Sequence, residues 1–526
     1  MQMRMYVVMI FTVFLLAVVG EAAELRLRPA ELELIDGRKL SGQLAAETET
    51  HLVLYSRGGG SLHGFPKTLV HAVVAEGERR DVNPKRAMTE AESKLPCRTG
   101  WPDAAPETGP KPEYTAQQWP APQRLLIWAN PGKSGRVIDP ANWQVFGAPL
   151  DPGGKVWDHQ TDALLPASDK PYTAVGGVDE PVSGRLNLTF RHMTVENGAA
   201  VASQDARLTG NLWLREEGAM RIRFSIIFAG PHHTFIRNDR PRLFKVGVNP
   251  HDLPERTRAG YYLSQYITVQ KERDASVEFA GHFLSNDKFF VFGGTCILGP
   301  GSAVMSSNRN PDRIGPDARI ELMSGAIWGK HINQATGESY DIAGTVTVGS
   351  PKRPITEDTY IAMPFKDYTG VCCGRRDVTV ARQTGGDWKG DCFGFHVTRK
   401  GRFRIYSADP TKARAVFCFH GRETSVTDAG INYSWNELGK NKALYAKLPR
   451  RIDLVLEGDV EMNGVLFQDV HKGGIRLADL AMKEKFQNVF WGSNCGGKPE
   501  EMFVVFKPST APIGWTEAVA PLLQGN

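Results

Sequence analysis

A short phrase recurs along this chain: an apolar run of the β type, a single glycine, and a second run. Five copies occupy Ala206–Leu214, Ser276–Leu284, Ala318–Trp328, Tyr340–Val348 and Ile452–Met462. Glycine permits a sharp backbone bend, and the alternation of apolar and polar residues gives each run one buried face. Each copy therefore predicts two short strands joined at a tight corner. Stacked copies predict a solenoid.

The spacing of the glycines bears on the kind of solenoid. Gly325 and Gly344 are 19 residues apart, close to the shortest repeats of solenoid proteins, which run from about 20 to 45 residues. Periodicity does not separate parallel from antiparallel pairing, so a β-sandwich with many hairpins is the alternative. We predict an all-β protein in which residues 124–507 form a right-handed parallel β-helix, preceded by a small β-barrel.

The first 23 residues have the order of a secretory signal. Arg4 precedes the apolar stretch Val7–Val19, and small residues follow. This apolar core is shorter than the roughly 20 residues that a membrane-spanning helix needs. We expect cleavage near Glu24 and a secreted, periplasmic or cell-envelope protein without a membrane span.

Residues 24–80 contain five short apolar runs with Asp-Gly and Gly-rich turns, which predicts a small antiparallel barrel. The segment Asp36–Gly42, a following strand, a Gly turn and the Phe65-Pro66 strand resemble the SH3-like or Sm-like barrels of many exported bacterial proteins. That resemblance implies a binding or packing module, and it transfers no catalytic residue.

The segments that flank the predicted β-helix are a linker and a tail. Residues 81–123 predict a short helix, with Thr89 as N-cap and Glu92 at the capping-box position, and then a Pro-rich linker. Residues 508–526 predict a C-terminal tail or cap.

Charge and motifs exclude some partners. The net charge of +5 is spread over 63 basic and 58 acidic residues, which argues against nucleic acid and allows an acidic or a neutral polysaccharide. The Gly132-Lys133-Ser134 triplet lacks the earlier glycine of a phosphate loop, and Pro140 opposes the helix that should follow. A nucleotide site is therefore not expected.

The Gly-cornered runs between Asn142 and Phe506 resemble the pectin-lyase-like right-handed β-helix superfamily, in particular members with a distinct entry segment. The resemblance implies extracellular polysaccharide cleavage or attachment, with active residues on the outer face of one sheet. The superfamily has no universal catalytic motif, so no site residue is carried over.

One candidate catalytic site directly follows an apolar run: His232, His233, Arg237 and Asp239. Loops at strand ends commonly carry catalytic groups, and histidine titrates near neutral pH. His233 is the predicted base, Arg237 the partner of a uronate carboxylate, and Asp239 the group that orients the imidazole. The alternative is a loop whose polar groups only hold its own turn.

A candidate metal site consists of Cys392, His396, Cys418 and His420, with Cys372 and Cys373 nearby in sequence. Thiolate and imidazole ligands suit tetrahedral zinc. Neither spacing is a regular zinc-ribbon pattern, and in an exported protein disulfides are the competing interpretation. The chain has 7 cysteines, so at least one stays unpaired within a monomer.

Two further features are a run of carboxylates and the tryptophans. Asp453, Glu457, Asp459 and Glu461 alternate along one predicted strand, and their carboxylates could bind calcium or act in a glycosidase. A solvated strand face also explains them. Tryptophans could stack on sugar rings, although most are expected in the core.

The sequence predicts an exported protein that binds polysaccharide or serves as a structural component of the cell envelope, without enzymatic activity. The alternative is a polysaccharide lyase or glycoside hydrolase that uses the loop from His232 to Asp239. The sequence leaves the cofactor and the choice between these functions open.

Overall fold

The computed structural model describes residues 24–56, 59–93, 119–150, 158–176, 187–244, 254–307, 312–331, 340–362, 392–418, 426–428, 431–433, 451–468, 470, 474–492, 495 and 498–505. The chain is all-β with few helices, and its parallel sheet closes in a barrel-like manner. The predicted all-β class is confirmed. The chain divides into two compact units, one of residues 1–176 and 188–200, the other of residues 177–187 and 201–526.

The strands of the first unit are β1 (Arg28–Leu34), β2 (Lys39–Glu47), β3 (His51–Tyr55), β4 (Leu62–Pro66), β5 (Val70–Ala75), β6 (Glu78–Asp81), β7 (Arg124–Trp128), β8 (Gly135–Arg136), β9 (Trp143–Gly147), β10 (Thr161–Leu165), β11 (Tyr172–Gly176), β12 (Asn187–Phe190) and β13 (Met193–Val195). Strands β1 to β6 form an antiparallel sheet in the order β4-β3-β2-β1-β5-β6. The five predicted strands correspond to β1 to β5, and β6 is an addition. A short helix follows as α1 (Glu90–Ser93).

The predicted capping box of this helix is confirmed. The backbone N–H of Glu92 donates to Thr89 Oγ1 at 3.2 Å, and the backbone N–H of Thr89 donates to Glu92 Oε2 at 2.9 Å. These reciprocal bonds satisfy two donors that a helix N-terminus would otherwise leave open.

Pairing changes after the antiparallel sheet. Strand β7 pairs antiparallel with β9 and parallel with β10, and β10 pairs parallel with β13. Tyr55 and Val53 of β3 lie in one apolar cluster with Leu125, Ile127 and Leu164 of the parallel strands. The antiparallel sheet therefore shares a core with the first parallel strands of its unit.

A buried polar network lies in this unit around Asp162, which is 0% exposed. Its carboxylate accepts hydrogen bonds from Tyr55 Oη at 2.6 Å, from Arg191 Nε at 2.8 Å and from the His192 backbone N–H at 3.0 Å. Burial raises the pKa of Asp162, but the charges of His192 and Arg191 outweigh it, so the net pKa lies below its ordinary value. The network is saturated with internal partners.

The strands of the second unit are β14 (Ala199–Leu208), which crosses the boundary, β15 (Leu212–Leu214), β16 (Ala219–Gly230), β17 (Thr234–Asn238), β18 (Tyr262–Lys271), β19 (Ser276–Ala280), β20 (His282–Leu298), β21 (Ala303–Ser307), β22 (Asp312–Ile314), β23 (Ala318–Leu322), β24 (Ile327–His331), β25 (Tyr340–Ile342), β26 (Thr345–Val348), β27 (Thr359–Ala362), β28 (Cys392–Val397), β29 (Arg402–Ile405), β30 (Ala415–Cys418), β31 (Val426–Asp428), β32 (Ile431–Tyr433), β33 (Arg451–Leu456), β34 (Asp459–Gln468), β35 (Ile475–Leu477), β36 (Phe486–Trp491) and β37 (Phe503–Val505). One helix precedes β18, α2 (Glu255–Ala259).

From β19 onward the strands pair in three parallel ladders, except for β31 and β32, which pair antiparallel with each other. The first ladder runs through β19, β20, β23, β26, β29 and β34. The second runs through β20, β21, β24, β27, β30, β34 and β36, and the third through β20, β22, β25, β28, β33, β35 and β37. From β21 to β30, successive strands visit the second, third and first ladders in turn. This parallel pairing contradicts the alternative of a hairpin-rich sandwich.

Aromatic side chains stack through the interior of the ladders. Ring centroids are 5.8 Å apart between Tyr340 and Phe395, 5.1 Å between Phe395 and Phe417, and 5.7 Å between Phe417 and Phe467. Each such pair adds about 0.5–1.5 kcal/mol beyond its buried area. Tyr340–Phe395 and Phe417–Phe467 join successive strands of one ladder, and Phe395–Phe417 joins the third ladder to the second.

The corners between the third and first ladders need glycine. A Cβ on Gly344 would lie 2.1 Å from the Gly315 carbonyl oxygen, and one on Gly458 would lie 2.2 Å from that of Gly401. The recurring phrase thus reflects close backbone approach. Interpreting the Gly325–Gly344 spacing as one turn was wrong, because Gly325 precedes β24 in the second ladder and belongs to a different corner.

Two further findings concern the cysteines and the helices. Cys296 is buried and forms no disulfide with a described cysteine, and the Cys495 thiol donates a hydrogen bond to the Phe467 carbonyl oxygen at 3.4 Å. No helix in the part of the chain that the structure describes is long and apolar enough to span a membrane.

Candidate functional site

The first ladder carries two columns of residues that alternate with its buried apolar side chains. One column is Ser276, Thr295, Arg319, Thr345, Arg402 and Asp459, and the other is Glu278, Ile297, Glu321, Thr347, Arg404 and Glu461. Because side chains alternate across a strand, both columns point away from the apolar interior.

A groove of about 320 Å³ opens over these columns, and we call it the arginine groove. It is lined by Arg319, Glu321, Thr345, Thr347, Ser350, Pro351, Arg402, Arg404 and Tyr406. Three arginines face one carboxylate within this lining. Arg319 and Arg402 stand two strands apart in one column, about 9.5 Å at the usual strand spacing.

The arginines differ in how far their charge is already compensated. Arg404 pairs with Asp459 and, at 3.2 Å, with Glu461. Arg319 lies 3.9 Å from Glu321. Arg402 is exposed, and none of the carboxylates described in the structure forms an ion pair with it. Arg402 is therefore the groove cation that is most available to an anion.

Two glutamates of one column have raised pKa values: Glu321, which lines the groove, and Glu278, which lies two strands away from it. Burial raises the pKa of Glu278 to about 7, with Arg353 opposing and Glu321 adding to the rise. Burial also raises the pKa of Glu321 despite the opposing charges of Arg353 and Arg319. Desolvation disfavours the charged carboxylate, which explains both directions.

The predicted loop site is only partly assembled. Arg237 Nε donates to Asp239 Oδ1 at 2.6 Å, and Trp213 Nε1 donates to Asp239 Oδ2 at 2.7 Å. The Arg237 guanidinium also stacks on the Trp213 ring, 4.6 Å from its centroid. Asp239 thus binds Arg237 and Trp213, where the sequence assigned it to an imidazole.

The two histidines lie at the other end of β17. His233 precedes this strand and Asp239 follows it, so the two are about 20 Å apart along an extended backbone. His233 Nδ1 lies 3.0 Å from Ser276 Oγ, and the His232 carbonyl accepts a hydrogen bond from Lys271 Nζ. Burial and the Lys271 charge lower the pKa of His233. The structure therefore separates the predicted base from its predicted orienting group.

The predicted metal ligands fall on different ladders. Cys392 and His396 belong to β28 in the third ladder, and Cys418 belongs to β30 in the second. His420 and the side chains of Cys392 and Cys418 lie outside the described part of the chain. Where side chains are described, no group of three metal-ligating residues occurs, and His396 Nε2 lies 3.3 Å from Glu457 Oε1.

The acidic strand is divided by a corner. Glu457 precedes the corner at Gly458 and contacts His396 and Arg399. Asp459 and Glu461 follow the corner and contact Arg404. The prediction that these carboxylates share one strand face was wrong, because the chain turns at Gly458 from the third ladder to the first. The side chain of Asp453 lies outside the described part of the structure.

The arginine groove itself was not predicted. Its local signal is the alternation in Arg319-Ile-Glu321 and Arg402-Phe-Arg404, which places charged residues on one side of each strand. That alternation does not say which strands are neighbours. Trp143, Trp213 and Trp328 are buried, as expected for core tryptophans, so their rings are not exposed to a sugar.

Comparison of the chain with models of protein families, with curated proteins and with solved structures found no match.

Proposed function

We propose that this is an exported protein that binds an acidic polysaccharide in the arginine groove and does not cleave it. Its three parallel ladders would be the faces of a right-handed β-helix of the pectin-lyase-like kind, located in the periplasm, the cell envelope or the medium. The residues before Glu24 would direct export.

The observation that carries the proposal is the charge and shape of the groove. Arg319 and Arg402 stand in one column with Thr345 between them, and no described carboxylate pairs with Arg402. Guanidinium groups bind carboxylate and sulfate oxygens in a bidentate manner, and hydroxyl groups add neutral hydrogen bonds. Tyr406 offers a ring and a hydroxyl beside them. A polymer with anionic groups along its length fits this arrangement better than a neutral one.

The direct test is binding of the mature protein to polygalacturonate, to dextran sulfate and to neutral dextran by calorimetry. We expect binding to both acidic polymers and none to dextran. Arg402→Ala should weaken binding, and Arg273→Ala, an exposed arginine on another turn, should not. Equal binding of dextran, or an unchanged affinity of Arg402→Ala, contradicts the proposal.

The enzymatic alternative has one observation in its favour. His233 lies beside Ser276, the first residue of the column that contains Arg319 and Arg402, and its lowered pKa favours the neutral imidazole that a base requires. Incubation with polygalacturonate, followed by chain length and unsaturated-product absorbance, tests this. Depolymerisation that disappears in His233→Ala would replace the binding function with a lyase or hydrolase.

A further inference from the structure

Glu278 is a buried acid on the first ladder, two strands away from Glu321 of the arginine groove. It lies on β19 in the same column as Glu321, with Ile297 of β20 between them, and only 6% of it is exposed. Its Oε2 atom is buried, and no hydrogen-bond partner for it occurs in the described part of the protein. Its other oxygen packs on Gly299, where an added Cβ would lie 2.8 Å away.

The groups that face Glu278 leave its charge poorly compensated. Strand β17 presents Phe235, and β20 presents Ile297, both without charge. Strand β23 presents Glu321, which repels a second carboxylate and already pairs with Arg353 at 3.5 Å. His233 stands two residues before Phe235 and has a lowered pKa. Burial and the neighbouring carboxylate therefore both favour protonated Glu278 below neutral pH.

Protonation changes the balance of charge around the groove. The cations are Arg319, Arg353, Arg402 and Arg404, and the acids are Glu278, Glu321, Asp459 and Glu461. With every acid ionised the two sets cancel. Removing the charges of the two shifted glutamates leaves an excess of arginine facing the ligand. A carboxylate polymer keeps its own charge above about pH 4.

We propose that the groove is a pH-dependent site, which holds an acidic polysaccharide in mildly acidic medium and releases it as Glu278 loses its proton. This inference rests on the proposed function. The direction of the pH dependence follows from the two glutamates. Their protonated forms, which favour binding, exist below their pKa values and are lost as the pH rises through those values. Binding is strongest between about pH 4, where the ligand ionises, and about pH 7, where Glu278 does.

The experiment measures the affinity of the mature protein for dextran sulfate between pH 5.5 and pH 8.5, because sulfate stays ionised throughout. We expect roughly fivefold weaker binding at the upper pH, from one added negative charge about 10 Å from the ligand. Glu278→Gln should lose most of this dependence on pH and bind at both ends of the range with nearly the affinity of the acidic state. Glu484→Gln, an exposed glutamate, should behave like the wild type.

A second variant keeps the test informative if Glu278→Gln does not fold. Glu321→Gln should reduce the dependence on pH without removing it, and the unfolding temperature of each variant shows whether the fold is retained. Wild-type affinity that does not change with pH, or an unchanged dependence in folded Glu278→Gln, overturns the inference while leaving the binding function intact. Absence of binding at every pH instead overturns the proposed function.

Discussion

The polar network around Asp162 and the arginine groove contain the same chemistry in opposite settings. Asp162 and Arg191 are buried, and every hydrogen bond around the carboxylate comes from within the protein. Arg402 is exposed in a groove, without a described carboxylate partner. A saturated buried pair has no capacity left for a ligand, whereas an open, uncompensated cation does. Saturation and exposure, more than residue type, separate a structural ion pair from a binding site.

The largest effect is expected from breaking the buried pair. Asp162→Ala leaves the Arg191 guanidinium buried without its carboxylate and should lower the free energy of unfolding by about 3–5 kcal/mol. Chemical denaturation of the variant measures this. Asp169→Ala, which removes an exposed aspartate of the same unit, should change stability by less than about 0.5 kcal/mol. Similar losses in both variants would mean that Asp162 has no special role.

A smaller loss is expected from one bond of the same network. Tyr55→Phe removes the hydroxyl that donates to Asp162 at 2.6 Å, and a hydrogen bond to a charged group contributes about 1.5–3 kcal/mol. Tyr406→Phe in the groove should alter stability by less than about 0.5 kcal/mol. If the two phenylalanine variants unfold at the same denaturant concentration, the Asp162 network and the arginine groove do not differ in the way that we propose.

In the groove, the same kind of change should affect affinity and not folding. Arg402→Ala removes a charge-assisted contact to the ligand, and we expect about tenfold weaker binding of dextran sulfate, equivalent to about 1.4 kcal/mol. Its unfolding curve should overlay that of the wild type. A large loss of stability would place Arg402 with the structural arginines, against the proposal.

The smallest expected effect is a difference in how the two regions respond to salt. Raising ionic strength screens exposed charges much more than buried ones. Binding of dextran sulfate should weaken by roughly threefold between about 0.1 M and 0.3 M salt, while the unfolding free energy changes little over the same range. Affinity that is independent of salt would indicate that the groove does not bind through its arginines.

Much of the fold could be predicted where the signal is local. Strands β1 to β5 followed from alternation and turn residues, and the capping box at Thr89 followed from a spacing of three residues. The geometry of the loop site from His232 to Asp239 could not be predicted in this way. Its residues lie near one another in sequence, but β17 is extended, so His233 and Asp239 end far apart.

Local sequence patterns could not predict the arginine groove. Arg319 and Arg402 are 83 residues apart in sequence, and only the pairing of β23 with β26 and of β26 with β29 brings them into one column. The intervals between paired residues vary widely: Ile327 follows its partner Ala303 by 24 residues and precedes its partner Tyr360 by 33. No fixed repeat could have supplied this register.

The sequence by itself determined that this is a β protein with glycine corners and with one apolar side to each strand, because these properties depend on neighbouring residues and on a period of two. The tertiary structure decided which strands are neighbours, and therefore which charges meet. Hydrogen bonds between backbones far apart in sequence set that register, and the outward columns, the arginine groove and the buried Glu278 exist only once it is set.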